Sequence, residues 1–386
     1  MGESPPVLAG REPIIDRFYL DLEQVGEGGT ARETALYGLR GMGKTALLGE
    51  LVRAARQAEW LAVRVEAESE EGSLVSTIAG GVARPRVVPA GWDQGSFLDR
   101  FGEFAARAGI RVTGLGGVDA SVRVKPKVSD VRPADVLVDL YQELGRIAID
   151  QRRGIAILID ETQRASVDDL RGLFRAVSEA KTEQLPVITA FAGLLETPEL
   201  LMSAATSAER VLFEEIGVLD PAATYRALRT PADRAGVIFD DDALDLLIEF
   251  SEGYPYFIQQ LGSDVWNVRS DPDRITIDDA EIAIVLARRQ FERGALGRRW
   301  VELPEWGRHV VAAISMLADY PSQWVEVGKV AELVGKTTTE LSMTRRRLSD
   351  RGAVQTERGQ IRITQPGFHW YAAGLVERGE IDLEIG

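Results

Sequence analysis

Short apolar runs alternate with longer amphipathic segments through the first half of the chain, as they do in repeated strand–helix–strand units. Thr34 to Tyr37 reads as a short strand that leads into a glycine-rich loop. Lys44 to Glu59 reads as a helix, with Leu47, Leu48, Leu51, Val52 and Ala55 on one face. Leu61 to Glu66 reads as a second strand. Ile155 to Ile159 is apolar without interruption, the pattern of a parallel strand buried on both faces. Ser166 is placed to cap a helix with the stripe Leu170, Leu173, Phe174 and Val177, and Asp169 completes a capping-box pattern. Val187 to Phe191 and Val211 to Ile216 are two more strands. The fold class that follows is α/β, a parallel sheet flanked by helices.

An insertion of about residues 70–132 interrupts this rhythm. Two amphipathic helices are expected in it, near Ser73 to Val82 and Ser96 to Ala108. A hairpin follows, in which Gly114 to Gly117 separates Ile110 to Thr113 from Ser121 to Val124. Arg111, Arg123, Lys125 and Lys127 make that hairpin basic, and it reads either as a solvated surface turn or as a contact for a partner or DNA. Beyond Asp220-Pro221 only helical periodicity is visible, to about Gly294. A third unit runs from near Pro304 to near Ala373. It has helices at Trp306 to Leu317, Val327 to Val334 and Thr338 to Arg351, a turn at Gly335-Lys336 and a stop at Gly352. Strands Val354 to Thr356 and Ile361 to Ile363 pair around Glu357-Arg358-Gly359-Gln360. The expected division is 1–219, 220–300 and 301–375, with an acidic tail at 376–386.

Composition narrows the chemistry. With 386 residues, 45% hydrophobic and 27% charged, the chain is long enough for two or three globular domains. It has no cysteine, hence no disulfide and no thiolate metal site, and its two histidines do not make a histidine-built zinc centre. The first ten residues, MGESPPVLAG, do not read as a signal peptide. Apolar stretches such as Val310 to Ala318 fall well short of the roughly 18 residues of a membrane span, so a cytoplasmic location is expected and no membrane partner. The net charge of −15 gives no global argument for nucleic acid. Lysine occurs only at 44, 125, 127, 181, 329 and 336, which makes a lysine in a glycine loop conspicuous.

That loop is Gly38-Leu39-Arg40-Gly41-Met42-Gly43-Lys44-Thr45, followed by Ala46, and it fits Gly-x4-Gly-Lys-Ser/Thr in full. Chance would produce such a match in fewer than about one chain in a hundred of this length and composition. Glycines let backbone N–H groups converge on an anion, and the following helix adds its positive end. In such a loop the Lys44 ammonium meets the β- and γ-phosphates and the Thr45 hydroxyl ligates Mg²⁺. Asp160-Glu161 ends the buried strand, where ligands bind in parallel sheets. Asp160 is placed for the Mg²⁺ shell and Glu161 for the attacking water. The cofactors expected are therefore ATP and Mg²⁺.

With these motifs in hand the chain resembles an AAA+/STAND-type P-loop ATPase of the archaeal-ATPase and origin-initiator-like branch, which carries a helical lid and a C-terminal winged helix. Leu8-Ala9-Gly10-Arg11-Glu12 resembles the Gly-Arg-Glu box of these families, which implies that Gly10 and Arg11 lie beside adenine. Gly253-Tyr254-Pro255 resembles the Gly-x-Pro motif of the lid, which implies Tyr254 and Pro255 at the nucleotide. Arg210 precedes the fifth strand, where the resemblance implies an arginine finger acting on a neighbour's γ-phosphate. The local reading of Arg210 is a cation at a helix end. Two departures stand out. The fourth strand ends Phe191-Ala192-Gly193, without the polar sensor 1 residue, and Gly-Tyr-Pro occupies a lid where a sensor 2 arginine is common. Each removes a group that stabilises transition-state charge, so slow hydrolysis and a switch rather than a motor are expected.

From Lys336 to Arg362 there are seven cations and three acids, a locally basic stretch in an acidic chain. Thr337, Thr338, Ser342, Arg345, Arg346 and Arg358 are placed to meet phosphates or base edges if the winged helix binds duplex DNA. The other reading is a winged helix that packs against the lid or a protein partner. The expectation is a nucleotide-dependent ATPase switch of the initiator or transposition-regulator kind. The alternatives are a STAND-like signalling or defence ATPase that assembles with itself or a protein partner, and a scaffold that binds ATP without hydrolysing it.

Overall fold

A computed structural model of the chain describes residues 5–70, 72–84, 87–110 and 132–383. The chain divides into two compact units, one ending at Ile216 and the other beginning at Gly217. The basic hairpin expected around Gly114 to Gly117, with Arg111, Arg123, Lys125 and Lys127, lies outside the described residues.

The first unit runs α1 (Glu12–Gly26), β1 (Thr34–Tyr37), α2 (Lys44–Gln57), β2 (Leu61–Glu66), α3 (Ser73–Val82), α4 (Gln94–Arg107), α5 (Pro133–Asp150), β3 (Ile155–Asp160), α6 (Val167–Thr182), β4 (Val187–Gly193), α7 (Thr197–Ala204) and β5 (Leu212–Glu215). The five strands form one parallel sheet in the order β2-β3-β4-β1-β5. All of β3 is buried, as its unbroken apolar run requires. Ile155, Ile157 and Ile159 pack into a core with Val63, Val65, Leu137, Leu140, Tyr141 and Leu144. Each large side chain withdrawn from water in this way stabilises the fold by about 1.5–3 kcal/mol.

The insertion is part of that core. Phe97, Phe101 and Phe104 of α4 join it, with Phe97 and Phe101 stacked at 6.1 Å between centroids. Three helices, α1, α5 and α7, add to those expected from sequence. Helix α1 buries Phe18, Leu22 and Val25, and α5 begins with Pro133 in the first turn, where its missing N–H costs nothing. Ser166 caps α6 by accepting from Asp169 N–H at 3.0 Å. The buried Asp169 carboxylate accepts from Gly72 N–H at 3.0 Å, so it ties the start of α6 to the start of α3.

The second unit runs α8 (Pro221–Arg234), β6 (Ile238–Phe239), α9 (Asp241–Ser251), α10 (Pro255–Val268), β7 (Arg274–Ile275), α11 (Ile277–Phe291), α12 (Gly297–Glu302), α13 (Glu305–Leu317), β8 (Val325–Glu326), α14 (Val327–Leu333), α15 (Ser342–Asp350), β9 (Val354–Glu357), β10 (Gln360–Ile363) and α16 (Phe368–Glu377). The helical stretch expected after Asp220 is not purely helical, because β6 and β7 pair in parallel. Two residues per strand are too few to show an alternation. Helix α15 starts at Ser342 and not at Thr338. Glu340 closes the preceding turn by accepting from both the N–H and the hydroxyl of Thr337 at 2.7 Å, so 337–341 is a capped turn ahead of the helix. Strands β8, β10 and β9 form an antiparallel sheet in that order. Its hairpin turns at Arg358 and Gly359, both with positive φ (46° and 82°), as a two-residue turn requires.

Replacing Asp169 with alanine leaves Gly72 N–H without its acceptor and removes an anion from the first turn of α6. We expect a loss of about 1–3 kcal/mol in unfolding free energy, read from the urea midpoint at unchanged slope.

Candidate nucleotide site

The sheet order decides which groups meet. Strand β4 lies between β1, which feeds the glycine loop, and β3, which ends in Asp160. The loop, the acid pair and the end of β4 therefore share one carboxyl edge of the sheet, the crevice where parallel sheets bind ligands.

The loop needs its glycines. Gly38 has φ +150°, and a Cβ there would lie 2.5 Å from the backbone oxygen of Ile216. Gly41 and Gly43 have φ of 85° and 86°, and Gly43 is the residue that caps α2. Met42 is buried beneath the loop, while Arg40 and Thr45 are exposed on it and Ala46 is half-buried behind. The Lys44 side chain folds back over its own loop. Its Nζ donates to the carbonyls of Gly38 at 2.9 Å and Leu39 at 2.7 Å, and the residue is only 8% exposed. Burial lowers the Lys44 pKa to about 8, against the opposing charges of Glu161 and Asp160.

Asp160 is 3% exposed, and burial raises its pKa. Glu161 N–H, at 3.0 Å, and the Thr45 hydroxyl donate to its carboxylate and work against that rise. The pairing joins the loop to the end of β3 through two oxygen-bearing groups, the donor chemistry that Mg²⁺ takes. Glu161 adopts a left-handed backbone (φ 51°, ψ 39°), a conformation that costs a non-glycine residue about 1 kcal/mol or more. Among the described residues no cluster of three or more His, Asp or Glu forms a separate metal cage.

A model of the AAA ATPase domain matches residues 7–212, more than half of the chain. The chain belongs to this family. A second model, described as a domain of unknown function, matches residues 293–372. No curated protein matches the chain. Among solved structures, the Walker-type ATPase PABY2304 of Pyrococcus abyssi is similar in fold at TM-score 0.63 and 12% identity, over 96% of this chain and 98% of that one. The Aeropyrum pernix ORC1 protein, solved in complex with DNA, gives 0.46 at 19% identity over 97% and 95%. The Thermotoga maritima RuvB Holliday junction branch migration motor gives 0.45 at 16% over 98% of both chains.

Within the AAA ATPase domain, Gly10 (φ 72°) and Arg11 lead into α1, with Arg11 at its N-cap. Arg210 is exposed at the end of a short 3-10 turn ahead of the edge strand β5, and its carbonyl is held by Arg32 Nε at 2.7 Å. Tyr254 and Pro255 open α10 in the second unit. There the Tyr254 ring is fully buried, edge-on to Phe257 at 4.8 Å, and its hydroxyl accepts from Arg299 at 3.0 Å.

Of the C-terminal residues expected to face DNA, Thr338, Ser342, Arg346 and Arg358 are exposed. Arg345 is half-buried and donates to the Thr338 carbonyl at 3.1 Å. Lys336 lies over the Trp306 ring and Arg362 over the Trp324 ring. Exposed cations of the region include Arg346, Arg347 and Arg358, the last 3.7 Å from the Glu357 carboxylate. Motif reading passed over Gln163 and Thr197, which also line the acid end of the site. No spacing rule links them, because only the sheet order brings 163 and 197 together.

A triphosphate against Nζ restores the Lys44 pKa upward, so binding takes up a proton near pH 8 and affinity falls as pH rises through about 8. Calorimetry in two buffers of different ionisation heat measures that uptake, and Lys44→Ala should abolish it.

Proposed function

We propose that the chain is an ATP-dependent switch that binds ATP·Mg²⁺ at the glycine loop, hydrolyses it slowly and engages duplex DNA through a C-terminal winged helix. The observation that carries the reading is the buried Lys44 ammonium, resting on two carbonyls beside a Thr45–Asp160 pair. A buried cation satisfied only by weak neutral acceptors gains most from a polyanion. In this reading Gly38 to Ala46 cradle the phosphates, and Thr45 and Asp160 hold the metal. Bound Mg²⁺ supplies the positive charge that offsets the β- and γ-oxygens. Glu161 takes the proton of a water whose oxygen bonds the γ-phosphorus as the bridging bond breaks, leaving ADP and phosphate. Gly10 and Arg11 take the adenine side, Tyr254 and Pro255 belong to a lid, and Arg210 acts on a neighbouring copy. The end of β4 offers no polar side chain of its own, which supports slow turnover.

DNA contact is supported by the exposed Arg346, Arg347 and Arg358 in the basic stretch from 336 to 362. A second reading, self-assembly without DNA, is favoured by α11, whose Ile282, Val285 and Leu286 are 50%, 50% and 41% exposed at helical spacing.

Light scattering with ATP, ADP and duplex DNA in turn separates these readings. Under the first, DNA forms a complex in ATP at low salt, and Arg346→Ala/Arg358→Ala weakens it with a shallower salt slope. Oligomers that form with ATP and ignore DNA favour the second. Calorimetry tests the shared foundation, with Lys44→Ala expected to lower ATP affinity at least about tenfold.

A further inference from the structure

Gln163 sits on the 3-10 turn Thr162–Arg164, immediately beyond the acid pair. Its Nε2 donates to Glu161 Oε2 at 2.5 Å, and its Oε1 accepts from Leu194 N–H at 3.1 Å. The two bonds fix the orientation of the amide, because the carboxylate only accepts and the backbone N–H only donates. Leu194 follows the last residue of β4, the strand that separates the glycine-loop strand from the acid strand.

Gly193 makes this arrangement possible. A Cβ there would lie 2.8 Å from Gln163 Oε1 and 2.2 Å from Thr197 Oγ1. Thr197 is fully buried, and its hydroxyl has no hydrogen-bond partner among the described residues. Gln163 from the acid turn and Thr197 from α7 thus occupy the space beside the end of β4, where the strand itself has no side chain. Held by Gln163, Glu161 directly follows the last residue of β3, at the carboxyl edge of the sheet that it shares with the glycine loop.

We infer that Gln163 is a positioning residue, which aims the Glu161 carboxylate into the site and anchors that aim to the end of β4. The inference rests on Glu161 acting in ATP hydrolysis as proposed above.

Single-turnover hydrolysis and ATP Kd, measured for wild type, Gln163→Leu, Glu161→Gln and the double variant, test it. Gln163→Leu should slow hydrolysis roughly ten- to a hundredfold with Kd within about twofold of wild type. In the Glu161→Gln background the same change should add nothing, because its effect passes through Glu161. Gln163→Glu keeps the size of the side chain and sets a second carboxylate against Glu161, so it should reproduce the loss if the leucine variant folds poorly. A folded position-163 variant that hydrolyses at the wild-type rate overturns the inference and leaves the ATPase reading standing. So does one that slows the Glu161→Gln protein by the same factor as the wild type. Wild-type protein without hydrolysis, or Glu161→Gln at full rate, removes the ATPase reading and the inference with it.

Discussion

A buried ammonium that satisfies itself on its own loop is the constraint around which the first unit is organised. Lys44 is nearly as hidden as the core leucines that follow it on α2, yet it carries a charge. Neutral carbonyls compensate a buried cation less well than anions do, and its lowered pKa reports that shortfall. The remedy inside the protein is the pair Asp160 and Glu161, whose charges oppose the fall. Both acids are spoken for locally. Asp160 receives Glu161 N–H and the Thr45 hydroxyl, and Glu161 receives Gln163. Lys44 therefore has only carbonyl oxygens as direct hydrogen-bond partners, although the charges of Glu161, Asp160 and Glu196 act on it through space.

That arrangement depends on the sheet order. If β1 and β3 were neighbours, the acids would lie directly beside the loop and could pair with Lys44 outright. Strand β4 keeps them one strand apart, and its end at Gly193 carries no side chain. The space beside it is taken by Gln163 and the Thr197 hydroxyl. That glycine lets the acid turn reach across to the backbone at the end of β4. The strained backbone at Glu161 belongs to the same device, since a left-handed residue turns the chain sharply enough for Gln163 to fold back two positions later.

Sequence patterning made most of this unit legible, and the reasons are local. Thr34 to Tyr37, Leu61 to Glu66 and Ser73 to Val82 have the bounds read from the sequence pattern of apolar positions. The glycine loop and Asp160-Glu161 are contiguous words, so spacing alone finds them. What stayed hidden is non-local. Gln163 is one more polar residue in a turn until β4 brings Leu194 beside it, and Asp169 looks like a local cap until α3 supplies Gly72. In the second unit, β6, β7 and β8 are two residues each, below any period. The late start of α15 depends on a side-chain bond from Glu340 that competes with the helix pattern.

Charge distribution in the second unit follows the same logic of local against global. The chain as a whole carries −15, a field that repels a polyanion at long range. At physiological ionic strength that field decays over about 8 Å, so only the nearest charges decide what happens at contact. Around α15 and its hairpin the cations are sorted by packing. Lys336 and Arg362 spend their charge against the Trp306 and Trp324 rings, and Arg345 turns inward to a carbonyl. Arg346 on the helix and Arg358 at the turn are exposed, the latter with a side chain 92% exposed and 3.7 Å from the Glu357 carboxylate. With those three cations engaged by packing, Arg346 and Arg347 on the helix and Arg358 at the turn are among the exposed positive charges of this region.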